Sequence, residues 1–423
     1  MPQIADAENL RLAFWKAAKG KRGKADCVMF REHLDENLAA LGGELLAGDA
    51  PVGDYHYFKV HDPKERLICA ATFRERVLHH ALMNVCEPVL ERAAVFDSYA
   101  CRKGKGRLLA VARAQGYART HRWFLKLDIR KYFDSIQHAT MRALLGRKFK
   151  DPLVLGVFDR ILASYQTTAG RGLPIGNLTS QHFANFYLGP LDRLLKETLR
   201  RGAYVRYMDD FVVWGESGDE LREVCEQVRA FLAAKLRLEL KGNPAINRTA
   251  FGMDFLGYRL FPGTVRLARR SKVRFTRKFR RYEAAQRCGH WSELLLQQRM
   301  EALLAFVLPV ESGAFRRHVL QRFGVAAKRL EPRDSRGQLE QQRQELPVGD
   351  SQQQQPDEPQ QQHRVPGCAC PSSIGVPAGA PADPAAILSS ARVLPGQIRN
   401  PNPPGVSRPA ELSESSGRNQ FLN

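Results

Sequence analysis

The chain has 423 residues, 43% of them hydrophobic and 26% charged, so most of it is expected to fold as several subdomains around a sizeable core. Lys and Arg number 65 against 44 Asp and Glu, and the net charge of +21 favours a polyanionic partner, nucleic acid first. The sequence shows no membrane-length apolar run, signal-peptide pattern or Cys-x-x-Cys pair, which argues against a membrane, zinc-site or disulfide-scaffold protein and favours the reducing cytoplasm.

The N-terminal part is predicted to form helices around one β-hairpin. Residues 7–47 have apolar positions at helical spacing, interrupted by a Lys/Gly-rich stretch at 20–26, which predicts two helices. Residues 54–62 and 64–72 alternate as paired strands do, and residues 73–93 return to helical spacing.

Residues 122–335 alternate short β-like runs with helical segments, which predicts a mixed α+β fold. The β-like runs are WFLKLDI (123–129), AYVRYMD (203–209) and FVVWG (211–215). Within this range, residues 270–330 are predicted to be helical and are strongly basic.

The chain changes character after about residue 333. From Arg336 to Cys368, eleven of 33 residues are Gln, and Pro, Gly and Ser dominate the residues after Cys368. Such a composition cannot bury enough apolar surface to offset its ordering entropy, so residues 334–423 are predicted to be disordered. From Arg336 on there are seven Arg and eight Asp or Glu, so the basic surface belongs to the folded part.

Three aspartates are the candidate catalytic residues. Asp209 and Asp210 interrupt two β-favouring runs, which predicts a hairpin that presents paired carboxylates; an ordinary polar turn is the alternative. Asp128 ends an apolar strand, where capping of the next helix is the alternative role. Together the three fit a phosphoryl-transfer site with two Mg²⁺ ions about 4 Å apart, or Mn²⁺ in their place, which activate a 3′-hydroxyl and stabilise the leaving pyrophosphate.

The motif Tyr207-Met-Asp-Asp210, with Leu127-Asp-Ile-Arg-Lys-Tyr-Phe133 upstream, resembles the catalytic palm of reverse transcriptases. The resemblance runs in order from about Asp54 to about Leu260 and includes five further blocks: Lys64–Ile68 with Phe73–Arg76, Ser98–Gly106, Gly172–Gln181, Leu236–Leu240 and Phe255–Tyr258. It implies a right-hand polymerase with a disordered C-terminal tail at 334–423. Fingers and N-terminal helices would span 1–121, a palm with an antiparallel sheet and the Asp-Asp hairpin 122–262, and a basic helical thumb 263–333.

The resemblance also implies roles for single residues. Asp128, Asp209 and Asp210 would be catalytic and would bind metal together with the backbone carbonyl of Ile129. The residues implied in nucleotide binding are Arg66, Arg74, Phe133, Ile175, Gly176 and Gln181. The residues implied in template or primer binding are Arg102, Lys103, Lys105, Tyr207 and Met208. Phe133 would act as a steric gate against a 2′-hydroxyl; the alternative is an aromatic residue of the core. For Arg66 and Arg74 the alternative is a solvated surface charge, and for Arg102, Lys103 and Lys105 it is an ordinary basic turn. Either Lys241 or Arg248 is a candidate for neutralising the pyrophosphate.

The block Leu173–Gln181 resembles that of reverse transcriptases from diversity-generating retroelements, because Ile175 and Gln181 stand where most families carry Gln and Pro. An apolar Ile175 would remove a hydrogen bond that tests the nascent pair, which lowers discrimination; plain lineage variation is the alternative. Read one base later, the codons of about residues 332–367 allow an Asn-rich peptide that resembles the end of the lectin-type or formylglycine-generating-type domains that such elements diversify. The frame would then overlap an adenine-rich template repeat, whereas a flexible Gln-rich linker is the ordinary interpretation.

These observations predict a reverse transcriptase that copies a template-repeat RNA into cDNA with errors at adenines. The expected partners are template RNA, the primer or cDNA strand, dNTPs and a small basic accessory protein, in the cytoplasm of a bacterium or encoded by a phage, without a membrane. A defence-associated or group II intron-related reverse transcriptase and a maturase-like RNA-binding protein are the alternatives.

Overall fold

The computed structural model describes residues 1–61, 65–242 and 244–324, all within one compact unit. Lys64, the end of the predicted thumb and the predicted disordered tail lie outside the described residues. The mixed helix-and-sheet plan is confirmed, whereas the boundaries at residues 121, 262 and 333 stay predictions.

The N-terminal segment begins with a short helix, α1 (Pro2–Ala5). Residues 7–47 then contain three helices where the sequence predicted two: α2 (Ala7–Ala18), α3 (Ala25–Glu32) and α4 (Leu34–Ala47). Asp6 caps α2, because its carboxylate accepts hydrogen bonds from the backbone N–H groups of Glu8 and Asn9. A break at His33 separates α3 from α4 although the apolar spacing continues through it, so the prediction of one helix here was wrong.

An antiparallel hairpin of β1 (Tyr55–His61) and β2 (Glu65–Ala71) follows and confirms the predicted strand pair. Thr72 then caps α5 (Phe73–Ala93), whose inner face is buried in the main core. The elements between α5 and the hairpin of Asp209 and Asp210 are α6 (Arg107–Thr120), β3 (Trp123–Asp128), α7 (Tyr132–Ser135), α8 (His138–Gly146), α9 (Pro152–Ala163), α10 (Leu178–Tyr187) and α11 (Gly189–Arg193) with a π-helical turn at Leu194–Thr198.

A four-stranded antiparallel sheet in the order β4-β5-β3-β6 forms the centre of the molecule. Its remaining strands are β4 (Tyr204–Tyr207), β5 (Asp210–Gly215) and β6 (Ala245–Arg248), with α12 (Gly218–Phe231) and a π-helical turn (Leu232–Leu236) between β5 and β6. Alternate residues of β5 enter different cores: Phe211 and Val213 pack with α12, whereas Val212 and Trp214 pack with α6. The sheet is therefore covered on both faces, and its strands are fixed in register.

The C-terminal elements pack on the second core. After a 3₁₀ turn at Thr249–Phe251 come the three-stranded sheet β7 (Met253–Phe255), β8 (Tyr258–Leu260) and β9 (Val265–Leu267), then α13 (Arg269–Arg287), α14 (Glu293–Val307) and α15 (Gly313–Phe323). The predicted helical, basic character of this stretch is confirmed through residue 324, the last that the structure describes.

Candidate active site

The three predicted aspartates meet at one end of the central sheet. Strands β4 and β5 are joined by the two-residue turn Met208-Asp209, and Tyr207 pairs with Asp210 across it. Met208 has φ 59°, the positive value that the first position of a type II′ hairpin turn requires. Asp210 also lies directly opposite Asp128 of β3, so the strand register sets two carboxylates side by side with the third in the turn.

Burial and mutual repulsion shape the electrostatics of this cluster. Burial raises the pKa of Asp210 to about 6 although Lys126 lies beside it, with 3.1 Å between Nζ and Oδ2. Burial and then the charge of Asp128 raise the pKa of Asp209. The Oδ1 atom of Asp210 is buried and has no hydrogen-bond partner among the described residues. Negative charge is thus concentrated where only cations can compensate it.

Two lysines supply cationic partners. The Nζ of Lys241 lies 2.7 Å from Oδ2 of Asp128, and Lys126 also donates to the carbonyl of Asp254 at 2.7 Å. Of the two candidates for the pyrophosphate, Lys241 therefore reaches the carboxylates, while Arg248 lies over the Trp123 ring.

The donor set fits a hard divalent cation, because its atoms are carboxylate oxygens and one of them, Oδ1 of Asp210, is buried without a hydrogen bond. In the described part of the chain, no group of three or more His, Cys, Asp or Glu side chains is arranged as a preformed cage. Lys126 and Lys241 place positive charge beside the same carboxylates. Ile129, whose carbonyl was predicted as a ligand, is buried and bridged to Leu240.

Three of the predicted nucleotide-binding residues, Arg66, Arg74 and Phe133, have different surroundings. Exposed Arg66 of β2 acts electrostatically on Asp209 and lowers its pKa, against the larger opposite effect of burial. Arg74 instead forms an ion pair with Glu44 of α4. Phe133 is half-buried, edge-on to the Tyr132 ring with 5.8 Å between centroids.

The block that contains Ile175 and Gly176 is bonded to the β1-β2 hairpin. The backbone N–H of Cys69 in β2 donates to the carbonyl of Ile175 at 2.8 Å. Gly176 has φ 122°, and a Cβ there would lie 2.9 Å from Cγ2 of Ile68, so only glycine fits. Gln181 is exposed, with its Oε1 3.5 Å from Sγ of Cys101.

The predicted template residues differ in accessibility. Arg102 is only 7% exposed, since its guanidinium forms two-pronged hydrogen bonds with Glu91. This pairing gives Arg102 a structural role, and its template contact stays a prediction. Lys103 is 81% exposed, and the ammonium of Lys105 lies 3.3 Å from the centroid of the Phe96 ring.

Tyr207 and Met208, predicted to contact the primer or template, are half-buried. Sequence reasoning missed two charged residues beside them, Lys126 and Arg206. Lys126 lies two residues before Asp128 on a strand, and Arg206 interrupts an apolar strand, so residue alternation could have drawn attention to both.

Residues 59–260 match the family described as reverse transcriptase (RNA-dependent DNA polymerase). This stretch is a reverse transcriptase domain. It contains all three aspartates, Arg66, Phe133 and the block around Ile175.

Among curated proteins, the chain is similar to protein YkfC of Escherichia coli (strain K12), with 24% identity over 288 residues that cover 55% of this chain and 73% of YkfC. The group II intron-encoded protein LtrA of Lactococcus lactis subsp. cremoris is 23% identical over 281 residues, 49% of this chain and 46% of LtrA. A putative COX1/OXI3 intron 2 protein of Saccharomyces cerevisiae is 24% identical over 250 residues, 44% of this chain and 29% of that protein. The chain thus spans less than half the length of the two intron-encoded relatives.

Among solved structures, apo telomerase from Candida tropicalis aligns with a TM-score of 0.42 and 10% identity, covering 70% of this chain and 64% of telomerase. At this TM-score the likeness defines neither fold nor function. In the described part of the chain, no helix has both the length and the apolar character needed to cross a membrane.

Proposed function

We propose that this protein is an RNA-directed DNA polymerase that extends a primer with dNTPs on an RNA template. The observation that carries the proposal is the meeting of Asp128, Asp209 and Asp210 at one end of the sheet of a reverse transcriptase domain. The three carboxylates come from a strand end and a hairpin turn that are far apart in sequence. Burial raises the pKa of Asp209 and Asp210, so the grouping is unfavourable for the fold alone and is better explained by a functional role.

Asp128, Asp209 and Asp210, with the carbonyl of Ile129, are the residues that would hold Mg²⁺. When bound, such ions activate the primer hydroxyl and neutralise the leaving pyrophosphate. Around them, Arg66 and Lys241 would bind the triphosphate of the incoming nucleotide by charge. Phe133 would lie under the sugar and exclude a 2′-hydroxyl.

Within this activity, we assign the protein to diversity-generating retroelements, with a template-repeat RNA as template and errors at its adenines. Support comes from Ile175 and Gln181 in the block that is bonded to β2. Further support comes from the Asn-rich peptide that the codons of about residues 332–367 allow when read one base later. A small basic accessory protein would be the partner, and the cytoplasm the location.

A second candidate is a group II intron-related reverse transcriptase. The similarity to LtrA and to the yeast intron 2 protein favours it. Both candidates share the polymerase chemistry and differ in the RNA that is copied and in the fidelity of copying.

The deciding experiment is to purify the full chain with the proposed small basic accessory protein and the RNA that overlaps and follows its gene, add Mg²⁺ and dNTPs, and sequence the cDNA. Substitutions concentrated at template adenines are expected, and Asp209→Asn is expected to abolish all cDNA. Asp219→Asn, which changes a carboxylate that is 87% exposed, is the matched control and should behave as wild type. Faithful cDNA would favour the intron-related candidate, and RNA binding without any cDNA would overturn the polymerase.

A further inference from the structure

Strand β4 contains a buried arginine that the proposed chemistry does not use. Arg206 is 1% exposed and forms a two-pronged ion pair with Asp192 of α11, with Nε–Oδ1 at 2.7 Å and Nη2–Oδ2 at 2.6 Å. The hydroxyl of Tyr204 donates to the same carboxylate at 2.6 Å. A charge pair this deep is retained only with good geometry, because both ions have lost their hydration.

The same guanidinium reaches the turn of the aspartates. Its Nη1 donates to the carbonyl of Met208 at 3.0 Å and to Oδ1 of Asn185 at 2.8 Å. The Met208 carbonyl belongs to the peptide plane that directly precedes Asp209. Fixing this plane fixes the backbone direction from which the Asp209 side chain departs.

The turn needs such support. Met208 has φ 59°, a conformation that non-glycine residues adopt reluctantly and keep only when surrounding contacts enforce it. The two-residue turn also leaves its own carbonyl groups outside the strand ladder. A hydrogen bond to the Met208 carbonyl therefore acts at the strained position itself.

Arg206 is itself fixed in place. Its backbone N–H donates to the carbonyl of Asp97, and its carbonyl accepts from the N–H of Tyr99, both at 2.9 Å. With the side-chain bonds to Asn185 of α10 and Asp192 of α11, the arginine is tied to three separate parts of the chain. Because Arg206 is held by these contacts, its hydrogen bond to the Met208 carbonyl restrains the turn relative to the core.

We propose that Arg206 is a positioning residue, which aims the carboxylates of Asp209 and Asp210 by holding the carbonyl of Met208. Its kinetic consequence rests on the proposed polymerase function. Its effect on cation binding at the turn does not depend on catalysis.

The test replaces the ion pair as a unit with Arg206→Met/Asp192→Asn. This double variant leaves no uncompensated buried charge, and Asn at position 192 still accepts from Tyr204. Arg206→Lys is the second variant: it keeps the charge beside Asp192 but has no planar fork to serve both Asp192 and the Met208 carbonyl. The control is Arg160→Met, which removes a half-buried arginine that also donates to backbone carbonyls, those of Gly48 and Ala50, away from the turn.

Two readouts are measured on full-length protein: primer extension for kcat and KM, and the rise in melting temperature on adding Mn²⁺. We expect the double variant to lose about tenfold or more in kcat with KM for dNTP within about twofold, because misplaced carboxylates affect chemistry more than nucleotide binding. It should also need more Mn²⁺ for the same thermal shift. Arg206→Lys should have a kcat and a Mn²⁺ response between those of the double variant and those of wild type. Arg160→Met should keep wild-type kcat and Mn²⁺ response even if its melting temperature is lower.

The outcomes separate this inference from the proposed function. Wild-type kcat and Mn²⁺ response in the folded double variant would overturn the positioning role while leaving the polymerase intact; if that variant does not fold, the same result in Arg206→Lys would do so. A wild-type protein that makes no cDNA but shows a Mn²⁺ shift that is weakened in the variants would overturn the polymerase and support the positioning role. Absence of both signals in wild type would overturn both.

Discussion

The charge balance of the site depends on single residues, and Asp210 is the clearest example. It is opposite Asp128 in the strand register, buried enough that its pKa is raised to about 6, and in contact with Lys126. A raised pKa means that the folded protein binds this proton more tightly than the unfolded chain. In the metal-free protein, the stability contributed by the protonated form is therefore complete below about pH 4 and is lost as the pH rises through about 6.

The first prediction concerns metal-free protein kept in a chelator. Asp210→Asn should be more stable than wild type at pH 7, by up to about 3 kcal/mol, with a difference that shrinks towards pH 4. Thermal or denaturant unfolding across this pH range measures it. Asp219→Asn, at an exposed position, should show no such pH-dependent difference; if the two variants respond alike, Asp210 is not the buried carboxylate described here.

The second prediction concerns the ring of Phe133. Phe133→Val should raise the use of rNTPs relative to dNTPs, because a smaller side chain leaves room for a 2′-hydroxyl. The ratio of kcat/KM values for a dNTP and the matching rNTP reports it, and Phe133→Tyr, which keeps the ring, is the control. An unchanged ratio in Phe133→Val would mean that the ring belongs only to the core it partly packs against.

At the scale of elements, the junction between β2 and the block around Ile175 connects Arg66 to the site. A Cβ at position 176 would clash with Ile68 and approach the carbonyl oxygen of Cys69 to 3.1 Å. Gly176→Ala should therefore displace β2, raise KM for dNTP and lower stability by about 1–3 kcal/mol. Gly170→Ala is the matched control, since it also has positive φ but open space around its Cβ position. Equal effects of the two substitutions on KM would refute the role of this junction.

Elements with a strong local pattern could be predicted from the sequence, and elements fixed by tertiary contacts could not. The strand pair β1-β2 and the hairpin of Asp209 followed from residue alternation and turn position. The break at His33 carries no Gly or Pro signal and depends on packing. The partners of Arg74 and Arg102, Glu44 and Glu91, lie on separate helices, so nothing local indicated that these guanidinium groups are already paired.

At the scale of the whole molecule, part of the excess positive charge, +21 over the full sequence, lies on one surface groove. Exposed cationic side chains line a groove between α13 and α15: Lys272, Arg277, Arg280, Arg281 and Arg287 of α13, and Arg322 of α15. Such a groove suits the phosphates of a nucleic-acid duplex, whose binding releases counterions.

Arg277→Gln/Arg287→Gln should accordingly weaken binding of a primer–template duplex and reduce the slope of log affinity against log salt by about 1 per lost phosphate contact, without lowering kcat at saturation. Arg222→Gln, at a 67% exposed residue of α12, is the control. A salt slope equal to that of wild type would place the nucleic acid elsewhere.

The most direct measurement of the central claim is primer extension on a defined RNA template with Mg²⁺ and dNTPs, comparing wild type, Asp209→Asn and Asp219→Asn at equal folded concentration. The wild type and Asp219→Asn should extend the primer at the same rate, and Asp209→Asn should be slower by more than about a hundredfold. Extension by Asp209→Asn at the wild-type rate, or no extension by the wild type on any RNA template, would contradict the assignment of these carboxylates to DNA synthesis.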